Sequence, residues 1–382
     1  MKIKAIVLSV FAAVAVSCGV SNDHQIEKEF AEIMERNKAV GLAVAAVKDG
    51  KLVYNATFGY KDLENKIPMK EDDVLRIASI SKSFTATGIL QLVEQGKLSL
   101  DADVSDLMGF EIRNPNFPDN PITVRMLLSH TSSMSDSNGY FTFDNLHREK
   151  SDTWEKVWNS YEPGSKYQYC NLGYNTLGAI IEIVSGERFD RYIYNHILNP
   201  LGVYAHHNVM ELDSSKFIKI YKYNVSDSSY TCTATAYDSP VELLENYKLG
   251  YSTTAFSPTG GLKISAKDLS RVMMMHMNYG TLDGVKILSE ELSQLMQSEI
   301  VPTNYPNEKY GMAILSSDDY INGIRVLGHD GLALGAHTSM FWNQERDFGV
   351  VVMTNGCDDK TDKVFANIMC ETAEVLYKYF GK

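Results

Sequence analysis

Cysteine is scarce in this chain: five occur in 382 residues, and one of them is Cys18 near the start. The other four, Cys170, Cys232, Cys357 and Cys370, are spaced too irregularly for a small disulfide scaffold, and their pairing stays open. No Cys-x-x-Cys or His-Glu-x-x-His occurs, so no metal site is expected. Basic runs are also missing, and a formal charge of −12 argues against nucleic acid as a partner. Beyond Val16 no apolar run is long enough to span a bilayer, and no repeat or low-complexity tract interrupts the chain. What remains is one large domain, or two lobes with a substantial core.

The chain begins with Met1-Lys2-Ile3-Lys4, an apolar run from Ala5 to Val16, and Ala15-Val16-Ser17-Cys18. This is the layout of a signal peptide, too short to span as a mature helix. It resembles a bacterial lipobox, which implies a signal peptide over 1–17, cleavage before Cys18 and lipid attachment at that residue. Residues 18–25 would be a tether to a membrane of the cell envelope, on its periplasmic or cell-surface face. The alternative is an ordinary secretory signal with a chance cysteine. Either way the protein leaves the cytoplasm.

Ile26 to Arg36 has the apolar spacing of an amphipathic helix, with Ile26, Phe30, Ile33 and Met34 on one side. Gly41–Val47 and Leu52–Tyr60 read as strands joined at Asp49-Gly50, a dipeptide suited to a tight hairpin. From Leu98 to about Lys248 the pattern is one of short helices and loops, with Thr123–Leu128, Asn171–Val184 and Phe189–Ile197 as helices. Strands are expected again only near the C-terminus, at Tyr310–Leu315, Ile324–Leu327, His337–Trp342 and Phe348–Thr354, followed by a helix over Lys360–Tyr379. Lacking long helical crossovers, these strands should be antiparallel and complete the sheet begun at Gly41. The expected fold is α+β: an antiparallel sheet flanked by helices over 26–100 and 249–382, an inserted, mainly helical lobe over 101–248, and a cleft between them.

Ser79-Ile80-Ser81-Lys82 sits where a helix should begin, and i and i+3 share a face, so the Lys82 amine can approach the Ser79 hydroxyl. Only about one lysine in 2,500 is neutral at pH 7 when unperturbed, so Lys82 can serve as a base only if burial or positive charge lowers its pKa. A capped helix followed by a solvated lysine is the plain alternative. Tyr169-Cys170-Asn171 supplies a phenol and a carboxamide at the start of a helix, as acyl transfer requires. Tyr305-Pro306-Asn307 and Tyr320-Ile321-Asn322 match the same pattern, but read as a surface loop and a hairpin turn. Gly328-His329-Asp330-Gly331-Leu332 ends a strand, its glycines allowing close approach and His329 offering a hydrogen bond or a charge. His206-His207 reads as a surface loop, because adjacent rings rarely converge on a metal, and His130 as a stabiliser of its turn.

Together, Arg76 to Ala86, Leu127 to Ser133, Pro163-Gly164 with Tyr169 to Tyr174, Pro258 to Leu262 with Ser265 to Leu269, and Gly328 to Gly331 resemble the penicillin-recognising serine hydrolases. The group containing class C β-lactamases, D-Ala-D-Ala carboxypeptidases, D-aminopeptidases and related esterases is the most similar, from about Gly41 to Asn355. The resemblance implies a β-lactamase/transpeptidase-like fold and makes Ser79 the nucleophile and Lys82 its base. Tyr169 would shuttle the proton, with Asn171, His329 and Gly331 at the substrate and the Ser79 and Leu332 N–H groups as oxyanion hole. It implies no cofactor. The expected function is hydrolysis of an amide, peptide or ester, above all a D-amino-acid peptide or ester, through an acyl-serine. A β-lactamase and a non-hydrolytic envelope protein that binds penicillin or cell-wall peptides are the alternatives. His329-Asp330-Gly331 stands where many β-lactamases of the group have Lys-Thr-Gly, so an acidic residue replaces part of a carboxylate-binding motif. Cys170 occupies a position where serine is common, and should pack inward.

Overall fold

A computed structural model describes residues 3–4 and 20–382. Cys18 and most of the leader lie outside the described residues. Helix α1 (Val20–Arg36) leads into strands β1 (Gly41–Lys48), β2 (Lys51–Asp62) and β3 (Ile67–Pro68). Asp49 and Gly50 both adopt positive φ, 50° and 71°, which matches the right-handed twist of the hairpin they close. Helix α2 (Ser81–Glu94) follows, then, after short helices and loops, helix α3 (Asn171–Ser185) and helix α4 (Ala266–Met277). The chain finishes with strands β4 (Val301–Pro302), β5 (Lys309–Tyr310), β6 (Leu315–Ile321), β7 (Ile324–Ala333), β8 (Ala336–Asn343) and β9 (Phe348–Thr354), and helix α5 (Asn367–Phe380).

One nine-stranded sheet results, in the order β4-β5-β6-β7-β8-β9-β1-β2-β3 and antiparallel throughout. The late strands therefore complete the sheet begun at Gly41, through pairs such as Val351 with Ala45. Side-chain alternation divides β1 between two cores. Leu42, Val44 and Ala46 join α1 and α5 on one face, while Ala43, Ala45 and Val47 face α4 and a continuous core that reaches α2 and α3. Every residue from Ser81 to Leu92 is buried, so α2 runs through the protein interior and carries its first turn to the edge of the sheet.

Several boundaries differ from the sequence reading. Tyr310–Leu315 is not one strand: Ala313 takes φ 64°, the Gly311 N–H turns back to the Ile314 carbonyl, and the strand restarts at Leu315. β7 continues six residues beyond Leu327, to Ala333, so His329-Asp330-Gly331 lies within the strand. A hairpin of Ile220–Asn224 and Ser229–Thr233 brings strands back earlier than expected, the final helix starts at Asn367, and Phe189–Ile197 widens to a π-helical turn after Ile193. The thiols of Cys170, Cys232, Cys357 and Cys370 are all free.

Candidate active site

The first wall of the site is the turn that opens α2. Ala78–Ile80 is a 3-10 turn running straight into the helix, and Ala78 takes φ 49°, a left-handed conformation that costs an L-residue roughly 1–2 kcal/mol. The spacing then acts as the sequence suggests: Lys82 Nζ lies 3.1 Å from Ser79 Oγ and donates to the Thr259 carbonyl at 2.9 Å. Lys82 is wholly buried, which rules out a solvated lysine. Burial lowers its pKa to about 7 against the opposing pull of Asp136, then Asp330 and Cys170. About half of the amines are then neutral at neutral pH.

Tyr169 forms the second wall. Lys82 Nζ lies 4.8 Å from the centre of its ring, and its Oη is buried without a hydrogen-bond partner. Burial keeps the phenol protonated, well above its usual pKa of 10.0; the neighbouring Ser79 hydroxyl pulls the other way without reaching hydrogen-bond geometry. His130 holds this segment in place. Its carbonyl accepts the Gln168 N–H at 2.8 Å and its Nδ1 accepts the Cys170 N–H at 3.1 Å, so both amides flanking Tyr169 are tied to one residue. His130 itself sits at φ 57° in the Leu127–Ser133 turn, and burial, reinforced by Lys82 and His329, drives it to the neutral form.

The third wall is β7. Beyond Gly328 it pairs only with β8, which leaves the other edge of residues 329–333 open toward Ser79. A Cβ on Gly331 would come within 2.4 Å of the Ile77 carbonyl, 2.6 Å of Thr338 Oγ1 and 3.0 Å of the Ser79 nitrogen, so glycine is what lets the strand lie against the Ser79 turn. Thr338 Oγ1 donates to the Ile77 carbonyl at 2.8 Å and fastens the same junction. Leu332 follows Gly331 and is 60% exposed, so its place in the site rests on its backbone.

His329 does not supply a charge. Burial and Lys82 lower its pKa to about 3, its Nδ1–H donates to the Asp330 carbonyl at 2.5 Å, and Nε2 accepts from Tyr310 Oη at 3.2 Å. Asn171 is also engaged within the protein: its Nδ2 donates to Asp136 at 2.9 Å, and its Oδ1 accepts from Thr259 Oγ1 at 2.5 Å. Asp136 and Thr259 were not singled out from the sequence as site residues. Asp136 also accepts the backbone N–H groups of Asn171 and Leu172, at 2.9 and 3.0 Å, so its carboxylate caps α3 at the favourable helix end. Its signal was invisible because the capping residue lies far upstream of the helix it caps.

Cys170 packs inward, 1% exposed. Tyr305 is an exposed loop residue, whereas Tyr320 is buried beside the hairpin turn and donates or accepts at Ser339. His206 and His207 are not on the surface. Both are buried, and their rings diverge, His206 packing on Tyr194 and His207 on Phe189. Among the described residues no helix is long and apolar enough to cross a membrane.

Comparison with known proteins bears on the fold and the family. The family model described as Beta-lactamase matches residues 26–368. Protein flp of Staphylococcus aureus (strain N315) is 25% identical over 338 residues, covering 87% of this chain. The match takes in 63% of that relative, so the chain spans less than two thirds of the length of the curated proteins it resembles. The octameric penicillin-binding protein homologue from Pyrococcus abyssi superposes with a TM-score of 0.74 at 26% identity, over 94% of this chain and 78% of that one. The D-amino acid amidase from Ochrobactrum anthropi SV3 shares the fold, with a TM-score of 0.71 at 20% identity over 93% of this chain and 97% of the other. With the family model matched over most of its length, this chain belongs to the beta-lactamase family.

Proposed function

We propose that the protein is a serine hydrolase that cleaves an amide, peptide or ester bond through an acyl-serine at Ser79, with a D-amino-acid peptide, amide or ester as substrate. The observation that carries this reading is the buried Lys82 amine 3.1 Å from Ser79 Oγ with its pKa lowered to about 7. Neutral Lys82 takes the Ser79 proton as Oγ attacks the carbonyl carbon. The oxyanion is received by the N–H groups of Ser79 and Leu332, which the close approach at Gly331 supports. Protonated Tyr169 gives its proton to the leaving group and is restored from the Lys82 ammonium. Water then attacks the acyl ester while neutral Lys82 takes up one of its protons, relayed through the Tyr169 hydroxyl, and that proton passes to Ser79 Oγ as the ester C–O bond breaks, which releases the acid and regenerates Ser79. No step calls for a metal or organic cofactor.

Intact-mass measurement after exposure to a fluorophosphonate and to a penicillin tests this directly. One adduct on Ser79, absent from Ser79→Ala, is expected; no adduct from either reagent refutes the enzyme reading. Rapid turnover of a cephalosporin would make the protein a β-lactamase, and a penicillin adduct that never clears would make it a binding protein. We further propose attachment to the cell envelope through lipid on Cys18. Metabolic incorporation of an alkyne fatty acid, lost in Cys18→Ser, is the corresponding check.

A further inference from the structure

Helix α2 carries four hydroxyls around Lys82, at Ser81, Ser83, Thr85 and Thr87, and all four are buried. Two of them turn back on their own helix, as buried hydroxyls commonly do: Ser83 Oγ donates to the Ile80 carbonyl and Thr87 Oγ1 to the Ser83 carbonyl, each at 2.8 Å. The other two leave the helix. Ser81 Oγ accepts the Leu262 N–H at 3.1 Å, and Thr85 Oγ1 donates to the Pro258 carbonyl at 2.8 Å. Ser81 and Thr85 are four residues apart and Lys82 and Thr85 three apart, so the three side chains share a face. The bond from Lys82 to the Thr259 carbonyl is therefore the middle of three ties from one helix face to one segment, residues 258–262.

The segment is held from its other sides as well. Arg76 Nε donates to the Gly260 carbonyl at 2.8 Å, and the Ser257 carbonyl accepts the N–H groups of Gly260 and Gly261, so each carbonyl from Ser257 to Gly260 has its own donor. A Cβ on Gly178 would fall 2.3 Å from Pro258 Cγ, and glycine there lets α3 press on the turn from across α2. The effect on the base follows from the chemistry of a neutral amine, which has two N–H bonds and a single lone pair. A carbonyl can only accept, so the Thr259 carbonyl takes an N–H, and the lone pair is left for the Ser79 hydroxyl at 3.1 Å. Releasing the Pro258 carbonyl from α2 would let the adjoining Thr259 peptide drift off the amine.

We propose that Thr85 is a positioning residue for the base: by fixing the Pro258 carbonyl to the face of α2 that carries Lys82, it keeps the Thr259 carbonyl where it aims the lone pair of the amine at Ser79. This rests on the acyl-serine reading and adds to it a residue that acts only through others. Thr85 is 0% exposed, so it takes no part in binding substrate.

The test compares Thr85→Val with Thr87→Val in the full chain. Each removes one buried hydroxyl from α2 and keeps the branched shape, but only the first cuts a tie to the turn. Thr85→Val should slow modification of Ser79 by a fluorophosphonate about tenfold, and lower kcat for an activated ester by a similar factor with KM within about twofold of wild type. Thr85→Ser, which keeps the hydroxyl, should stay within about threefold of wild type, and Thr87→Val within about twofold. A Thr85→Val enzyme no slower than Thr87→Val, a loss confined to KM, or no rescue by serine overturns the proposal. Should Thr85→Val not fold, Ser81→Ala, which cuts the neighbouring tie to Leu262, must react at least about threefold more slowly than Thr87→Val, and failure to do so overturns it equally. Matched rates in the two valine variants of a reactive protein defeat only the positioning role; a wild type that forms no Ser79 adduct defeats the acyl-serine reading beneath it.

Discussion

Two lysines of this protein are buried alike and used differently. Lys82 and Lys263 are each drawn down to about 7 by loss of water, a long way from the ordinary 10.5. Lys82 faces the Ser79 hydroxyl and the Tyr169 ring, with carboxylates pulling its pKa back up. Lys263 lies in a short strand opposite Arg76 and His206; its Nζ donates to the His207 carbonyl at 2.7 Å, and Arg76 pushes its pKa further down. Among the described residues its Nζ has no hydrogen bond to a hydroxyl. A shifted pKa therefore marks burial, and only what the amine faces makes it a base.

Substitution can break that comparison. Lys82→Met should lower acylation of Ser79 by roughly 10³-fold or more, since no other neutral amine reaches the hydroxyl. Its thermal midpoint should hold or rise, because a costly buried amine is replaced by an apolar chain of similar length. Steady-state kinetics beside calorimetry would show both. Tyr169→Phe should reduce kcat by about 10²- to 10⁴-fold with little change in KM, as expected when a proton donor is removed and the ring is kept.

His130→Leu should come next. It removes the acceptor of the Cys170 N–H and loosens Tyr169, lowering kcat by about 10- to 100-fold while the pH inflection set by Lys82 stays where it is. A displaced inflection would mean that His130 exchanges protons itself. The smallest effect belongs to Lys263→Met, with turnover within about threefold of wild type. Its consequence is in stability. The folded Lys263 loses its proton near 7 and the unfolded one near 10.5, so across that interval the unfolded chain binds more protons and stability rises with pH. Below it both forms are protonated and that contribution is gone. Lys263→Met should flatten the rise, as followed by denaturant midpoints from neutral to alkaline pH.

Local patterns were legible. Asp49-Gly50 announced the first hairpin, the i, i+3 spacing of Ser79 and Lys82 announced their contact, and the apolar run Phe348–Thr354 announced a strand, which the structure buries on both faces. What stayed hidden depended on distant partners. His206 and His207 are polar by type and read as surface, yet aromatic neighbours from other segments enclose them. The run from Tyr310 to Leu315 is apolar enough for one strand, but Gly311 sits against the Ser298 and Met296 carbonyls and the chain must turn there. Thr259 meets Lys82 through its backbone carbonyl, which no side-chain pattern reports, and Asn171 through its hydroxyl. His329 looked like a source of charge and became a neutral buried ring, because its neighbours in space are Tyr310 and Lys82 rather than water.

The measurement closest to the central claim is the rate at which a fluorophosphonate or activated ester acylates Ser79 as pH is varied, compared in wild type and Lys82→Met. The rate should rise through a single inflection near pH 7 in the wild type, where buried Lys82 gives up its proton, and should lose both its magnitude and that inflection in the variant. A wild-type rate that climbs only toward pH 10, or one that the variant reproduces, would mean that Lys82 is not the base.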